Sequence, residues 1–194
     1  MKSLSSVPGA IALGVILALI LSFALRPTGG FGELGLAIWL HILAGVMWIG
    51  LLYYFNVVPS PQTVPASPQA LASPSHITPR ALSWLRWASL ATWLTGIWYL
   101  ARARTLASAV TLGHLGHDRY GLTIGVGGWL GTLMLFNVWV FICPSYRKLL
   151  GLASASEPKL RQARRVAQFA SRANFVLSIP LLLCMGATHH ALPF

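Results

Sequence analysis

"LAIWLHILAGVMWIGLLYYFN", residues 36–56, is an apolar run long enough to cross a bilayer, and it carries one histidine, His41, near its start. A hydrocarbon core of roughly 30 Å needs about 20 apolar residues of helix. Segments at about 9–25, 35–58, 83–101, 121–143 and 173–192 approach or meet that length. The chain is 56% hydrophobic and 9% charged, outside the range of ordinary soluble domains. Runs such as "GVILALILSFAL" do not alternate, which argues against a β-barrel. The fold expected is therefore all-α and integral to the membrane, a five-transmembrane-helix bundle forming a single domain over residues 1–194. Residues 9–25, although preceded by Lys2 as a secretory signal would be, are expected to remain as the first helix.

The net charge of +11 would suggest nucleic acid in a soluble protein. Here its placement gives a topology instead. Arg147, Lys148, Lys159, Arg161, Arg164, Arg165 and Arg172 all lie between the fourth and fifth spans, the mark of a cytoplasmic segment. Lys2, Arg80 and Arg86 then fall on the same side, while Arg26, Arg102, Arg104 and Arg119 face outward, so the N-terminus is expected inside and the C-terminus outside. The basic segment is expected to touch anionic lipid headgroups and no nucleic acid. Cytoplasmic loops are expected at 59–82, which is rich in proline and holds a solvated His76, and at 144–172. Within the latter, Leu160, Val166 and Phe169 among charges suggest an amphipathic helix lying on the membrane surface. Gly127 and Gly131 have the spacing for close helix approach, and Asn56, Asn137 and Asn174 are expected to bond neighbouring helices. A kink is expected at Pro180. Cys143 and Cys184 sit at different depths, and there is no CxxCH for covalent haem attachment.

This topology gathers histidines. His41 lies roughly 9 Å below the outer end of the second helix at 1.5 Å per residue. His114 and His117 stand in the outer loop, and His189 and His190 at the outer end of the last helix, so five of the six histidines converge on one face with Asp118 and Glu33. Three readings follow. A haem b held between helices would take His41 with His190 or His189 as axial ligands. A copper or zinc site would take His114, His117 and Asp118, with His189 added from the last helix. Alternatively, His41 bonds an adjacent helix and the others decorate a wet surface. No catalytic residue, phosphate loop or nucleophile elbow is identifiable, and the substrate is unknown from sequence.

The segments "WLHILAGVMWIGLLYYFN" (39–56), "LSWLRWASLATWLTGIWYL" (82–100), "GGWLGTLMLFNVWVFICPSYRKLL" (127–150) and "RRVAQFASRANFVLSIPLLLCMGATHHALPF" (164–194) resemble, in this order, the membrane domain of bacterial cytochrome c-linked urate hydroxylases, the urate oxidase N-terminal family. The resemblance implies a multi-pass protein of the bacterial inner membrane, an oxidoreductase that hydroxylates urate and passes electrons to a cytochrome c. His41 and His190 fall on histidines of its first and last motifs. A histidine associated with the family's "GTxMxxNV" helix is replaced by Gly125, and a glycine- and histidine-rich stretch by the proline-rich loop near Pro65. With the sequence ending at Phe194, the expectation is a short member without the cytochrome domain. Its expected function is electron transfer by a haem b-binding protein to a cytochrome c or respiratory assembly, with Asp118 and Glu33 governing proton access. The alternatives are a haem-free accessory subunit of a membrane complex and a periplasm-facing copper or zinc protein.

Overall fold

The computed structural model describes residues 6–25, 32–58, 79–115 and 117–190, with the side chains of 188–190 excepted. The described residues form helices joined by short turns, without strands. Of the expected loop at 59–82, residues 59–78, including His76, lie outside the described residues, while residues 79–82 are helical rather than loop. The chain divides into two units, Met1–Glu33 and Leu34–Phe194. The first contains α1 (Val7–Leu25), apolar on every face, about 28 Å long at 1.5 Å per residue. Its start is set by Ser6, whose hydroxyl accepts from the Gly9 amide at 3.2 Å.

The second unit holds α2 (Glu33–Val57, of which Glu33 belongs to the first unit), α3 (Pro79–Arg102), α4 (Leu106–Val110), α5 (Arg119–Asn137), α6 (Cys143–Leu149) and α7 (Glu157–His190). A π-helical turn, Val138–Ile142, joins α5 to α6 in one rod. Pro144 has no N–H to donate back to residue 140, and the wider π turn just before it absorbs the missing bond.

Polar contacts give the direction of each helix. Trp93 donates to Thr132 at 3.0 Å, and Trp87 packs edge-on against Trp139, so α3 and α5 are antiparallel. Asn174 donates to the Met134 carbonyl at 3.0 Å and accepts from Asn137 at 2.9 Å, while Gly127 faces Cys184 and Met185, so α5 and α7 are antiparallel. Asn56 donates to Ser171 at 2.9 Å and the Tyr53 and Ser178 hydroxyls lie 3.3 Å apart, so α2 and α7 are antiparallel too. The four long helices of this unit therefore run up, down, up, down. The three asparagines bond across helices as expected, each partner removing the cost of an unpaired buried amide. Gly127 and Gly131 do lie against α7, where an added Cβ would come within 3.1 Å of the Cys184 Cβ and 3.4 Å of Leu181.

Among the described residues, four helical stretches are long and apolar enough to cross a membrane: Val7–Leu25, Glu33–Val57, Arg119–Leu149 and Glu157–Ala187. The expected span at 83–101 is not among these, because Arg86 and Arg102 and several hydroxyls dilute α3; it is nonetheless packed into the bundle, with Leu82, Leu85, Ala88, Ser89 and Thr92 buried.

The expected cytoplasmic loop at 144–172 is largely helical. Instead of an amphipathic surface helix followed by a separate span, residues 157–190 form one continuous helix. Its buried stripe is Ala163, Ala167, Ala170, Ser171, Asn174, Ser178 and Leu181, at the three- and four-residue spacing of a single face. Phe169, expected on the apolar face, is 78% exposed. Small residues face inward because they let α7 lie close against α5 and α6; the large side chains point out. Pro180 inside α7 removes one donor, and the Ser178 hydroxyl turns back to the Phe175 carbonyl at 2.7 Å in the same turn.

Candidate functional site

His41 is half-buried on α2, facing α3. Its Nδ1 lies 2.8 Å from the Thr92 carbonyl oxygen. A carbonyl only accepts, so Nδ1 carries the proton, and in the neutral ring Nε2 is left with its lone pair. The Thr95 hydroxyl lies 3.0 Å from the same carbonyl and 2.7 Å from that of Ala91, which takes its one proton at the shorter distance. The ring rests on Gly96: a Cβ there would stand 3.0 Å from Cε1 and 3.1 Å from Nδ1. On the other helix Gly45 gives similar room, a Cβ at that position meeting only the Thr92 methyl at 3.7 Å. Thr92, Thr95 and Gly96 thus form one edge of α3, spaced i, i+3 and i+4, shaped around a single imidazole.

α7 carries the other two candidate haem ligands, His189 and His190, in its last turn; their side chains lie outside the described residues. Counted from the Tyr53–Ser178 contact, His41 and His190 are each twelve residues away along antiparallel helices. Counted instead through α3 and α5, His41 is level with a point about two turns earlier on α7. The two counts bracket the C-terminal turns of α7.

Among the described residues, no three His, Cys, Asp or Glu side chains come together to hold a metal ion. His114 and His117 are exposed, and His117 sits at φ 47°, an uncommon backbone conformation for a residue with a Cβ. Asp118 is the N-cap of α5. One carboxylate oxygen accepts from the Ser108 hydroxyl at 2.6 Å and the other from the Gly121 amide. The Ser108 bond first, then the Gly121 bond, hold this carboxyl below its ordinary pKa. Glu33 opens α2, where a negative charge suits the helix dipole.

The Asp118 cap predicts a pH effect. A carboxylate whose folded pKa is depressed stabilises the fold at pH above its unfolded value, and that contribution is lost as pH falls through the folded value. Asp118→Ala is therefore expected to lower the melting temperature in detergent at neutral pH. The gap to wild type should close as the buffer is acidified below the ordinary carboxylate range. A gap that stays constant down the acid limb would contradict the capping role.

Thr92 and Gly96 are the contacts of His41 that residue-level reading misses. The hydrogen bond goes to a backbone carbonyl, which any residue has. The only available signal is the polar and small pattern of "TWLTG" (92–96) inside an apolar stretch. No curated protein and no solved structure matches the chain. Residues 102–194, from the last residue of α3 through α4, α5, α6 and α7, match the family model described as urate oxidase N-terminal, bearing out over this part of the chain the resemblance read from its motifs.

Proposed function

We propose that the chain is a redox protein of the bacterial inner membrane that holds a haem b through His41 and exchanges single electrons with a cytochrome c or a larger respiratory assembly. The observation that carries this reading is the fixed tautomer of His41. Its Nδ1–H is committed to the Thr92 carbonyl, so Nε2 is the nitrogen free to coordinate. This is the orientation that ligating histidines ordinarily take, with the second ring nitrogen donating to a carbonyl. The residues present therefore fit the group. A bound haem b supplies reversible one-electron chemistry. The Thr92 carbonyl would fix the ring, Gly96 leaves space for it, and His190, or His189 beside it, would supply the second imidazole. Asp118 has both oxygens engaged and takes no ligand role, and the copper or zinc reading of His114 and His117 has no third donor among the described residues.

The membrane topology in this reading has five spans. α2 and α5 run in the same direction, so the chain must return between them, and α3, about 36 Å long, is the helix that does so. Its modest hydropathy is tolerable because its mid-helix polar groups Ser89 and Thr92 are buried in protein and Arg86 stacks on Trp139. The cations of α6 and the first turns of α7 stay inside, which puts the C-terminus and the level of His41 toward the outer face.

The function is tested by electron exchange. Dithionite-reduced protein, freed of excess reductant and mixed with ferricytochrome c, should lose its b-type absorption as the c-type band grows. No exchange, together with fixed-ratio co-purification with other subunits, would replace this reading with that of a haem-free accessory subunit.

A further inference from the structure

A second feature, unrelated to His41, lies toward the basic end of the bundle. A groove of ≈ 260 Å³ is lined by Arg86 from α3, Trp139 from the π turn, and Pro144, Arg147 and Lys148 from α6. Arg86 is six residues before Thr92, about 9 Å along α3 from the contact with His41. Its guanidinium lies 4.0 Å from the centre of the Trp139 ring and 5.9 Å from that of Trp87. Stacking on indole engages one face of the guanidinium, and its N–H groups point outward in the ring plane.

Two buried donors at this groove lack partners: Nε of Arg86 and Nε1 of Trp139 make no hydrogen bond. Native structures rarely leave such groups unsatisfied, since each lost bond costs free energy. Arg147 and Lys148 are exposed and add two more cations at the rim. The sequence has 14 lysines and arginines against 3 acidic residues, so internal carboxylates cannot neutralise this end. Three positive groups and an indole N–H around one concavity, with two donors unspent, describe an acceptor-rich anion as the missing partner.

We infer that the groove bounded by Arg86, Trp139, Arg147 and Lys148 is a binding site for a phosphate group. Arg86 offers a planar donor edge, Trp139 a single N–H from the groove wall, and Arg147 with Lys148 close over the exposed oxygens. The phosphate arrives either as the phosphodiester of an anionic lipid headgroup or as free phosphate; both present the same oxygens to these donors.

The test uses the full chain in mild detergent, with binding of phosphatidylglycerol and of inorganic phosphate followed by native mass spectrometry and equilibrium dialysis. Arg147→Gln with Lys148→Gln removes two groove cations from exposed positions and should leave helix content unchanged by circular dichroism. Binding should weaken by about thirtyfold, each cation near an anionic lipid surface contributing about fivefold. Lys159→Gln with Arg161→Gln removes the same charge from exposed positions on α7 outside the groove and should weaken binding by no more than about threefold. Saturable phosphatidylglycerol binding that millimolar phosphate does not displace identifies a lipid headgroup as the source; displacement identifies free phosphate. Equal weakening by both variant pairs, no weakening by the groove pair, or no saturable binding of either probe would overturn the site.

Discussion

His41→Ala is expected to yield a folded, monodisperse protein without haem, and added imidazole is expected to restore part of the b-type spectrum. The expected loss exceeds the roughly 10- to 100-fold drop in affinity that follows from disturbing a ligand's hydrogen-bonded support, because the coordinating nitrogen itself is removed. The bundle should survive, since His41 is half-buried and the hydrophobic core is built elsewhere, from Trp48, Leu52, Leu85, Met134 and Val138. Gly96→Val separates coordination from simple presence of an imidazole. It leaves His41 in the chain but drives a side chain into the ring's position, so haem retention should fall by about 10- to 100-fold while helix content holds. A Gly96→Val protein with wild-type haem affinity would show that the Thr92-facing orientation is irrelevant to binding.

The second large effect is at Gly125. This glycine lies mid-helix in α5, so in an open position alanine would stabilise it by about 1 kcal/mol through helix propensity. Its surroundings are not open. An added Cβ would run into the Ala109 carbonyl oxygen and come within 3.1 Å of that carbonyl's carbon and of the Leu112 Cδ2. The obstacle is backbone, which cannot turn aside as a long side chain can. Overpacking of this kind costs about 1–3 kcal/mol, so Gly125→Ala should be net destabilising and Gly125→Val more so. Gly128→Ala, with nothing within 4 Å of its added Cβ, is the control and should be neutral or stabilising. Unfolding in a graded detergent mixture compares the three. Gly125→Ala equal to Gly128→Ala would mean that α4 is not held against α5 as described.

Gly125 also shows how far residue-level reading reaches. Set beside the family pattern it reads as a histidine lost, a sign of altered chemistry. In the structure it is the contact that lets the short helix α4 seat on α5, and a histidine there would meet the same carbonyl. The long apolar helices were legible because hydropathy over a span-length window is a property of the chain alone. The continuity of α7 was not. Its first turns are charged, and a hydropathy window breaks where charge begins although the helix does not. Its packing face was equally hidden, since alanine and serine carry little hydrophobic signal and bury because they are small. For the site, His41 announced itself as an ionisable group in an apolar run. Its partner did not, because a carbonyl acceptor leaves no trace in side-chain chemistry.

If His41 Nε2 ligates haem iron as proposed, pyridine haemochrome quantification of the purified wild-type chain should find about one haem b per chain, as expected for one cofactor set between helices. Protein that is folded, monodisperse and free of haem when produced with ample haem supply would contradict it.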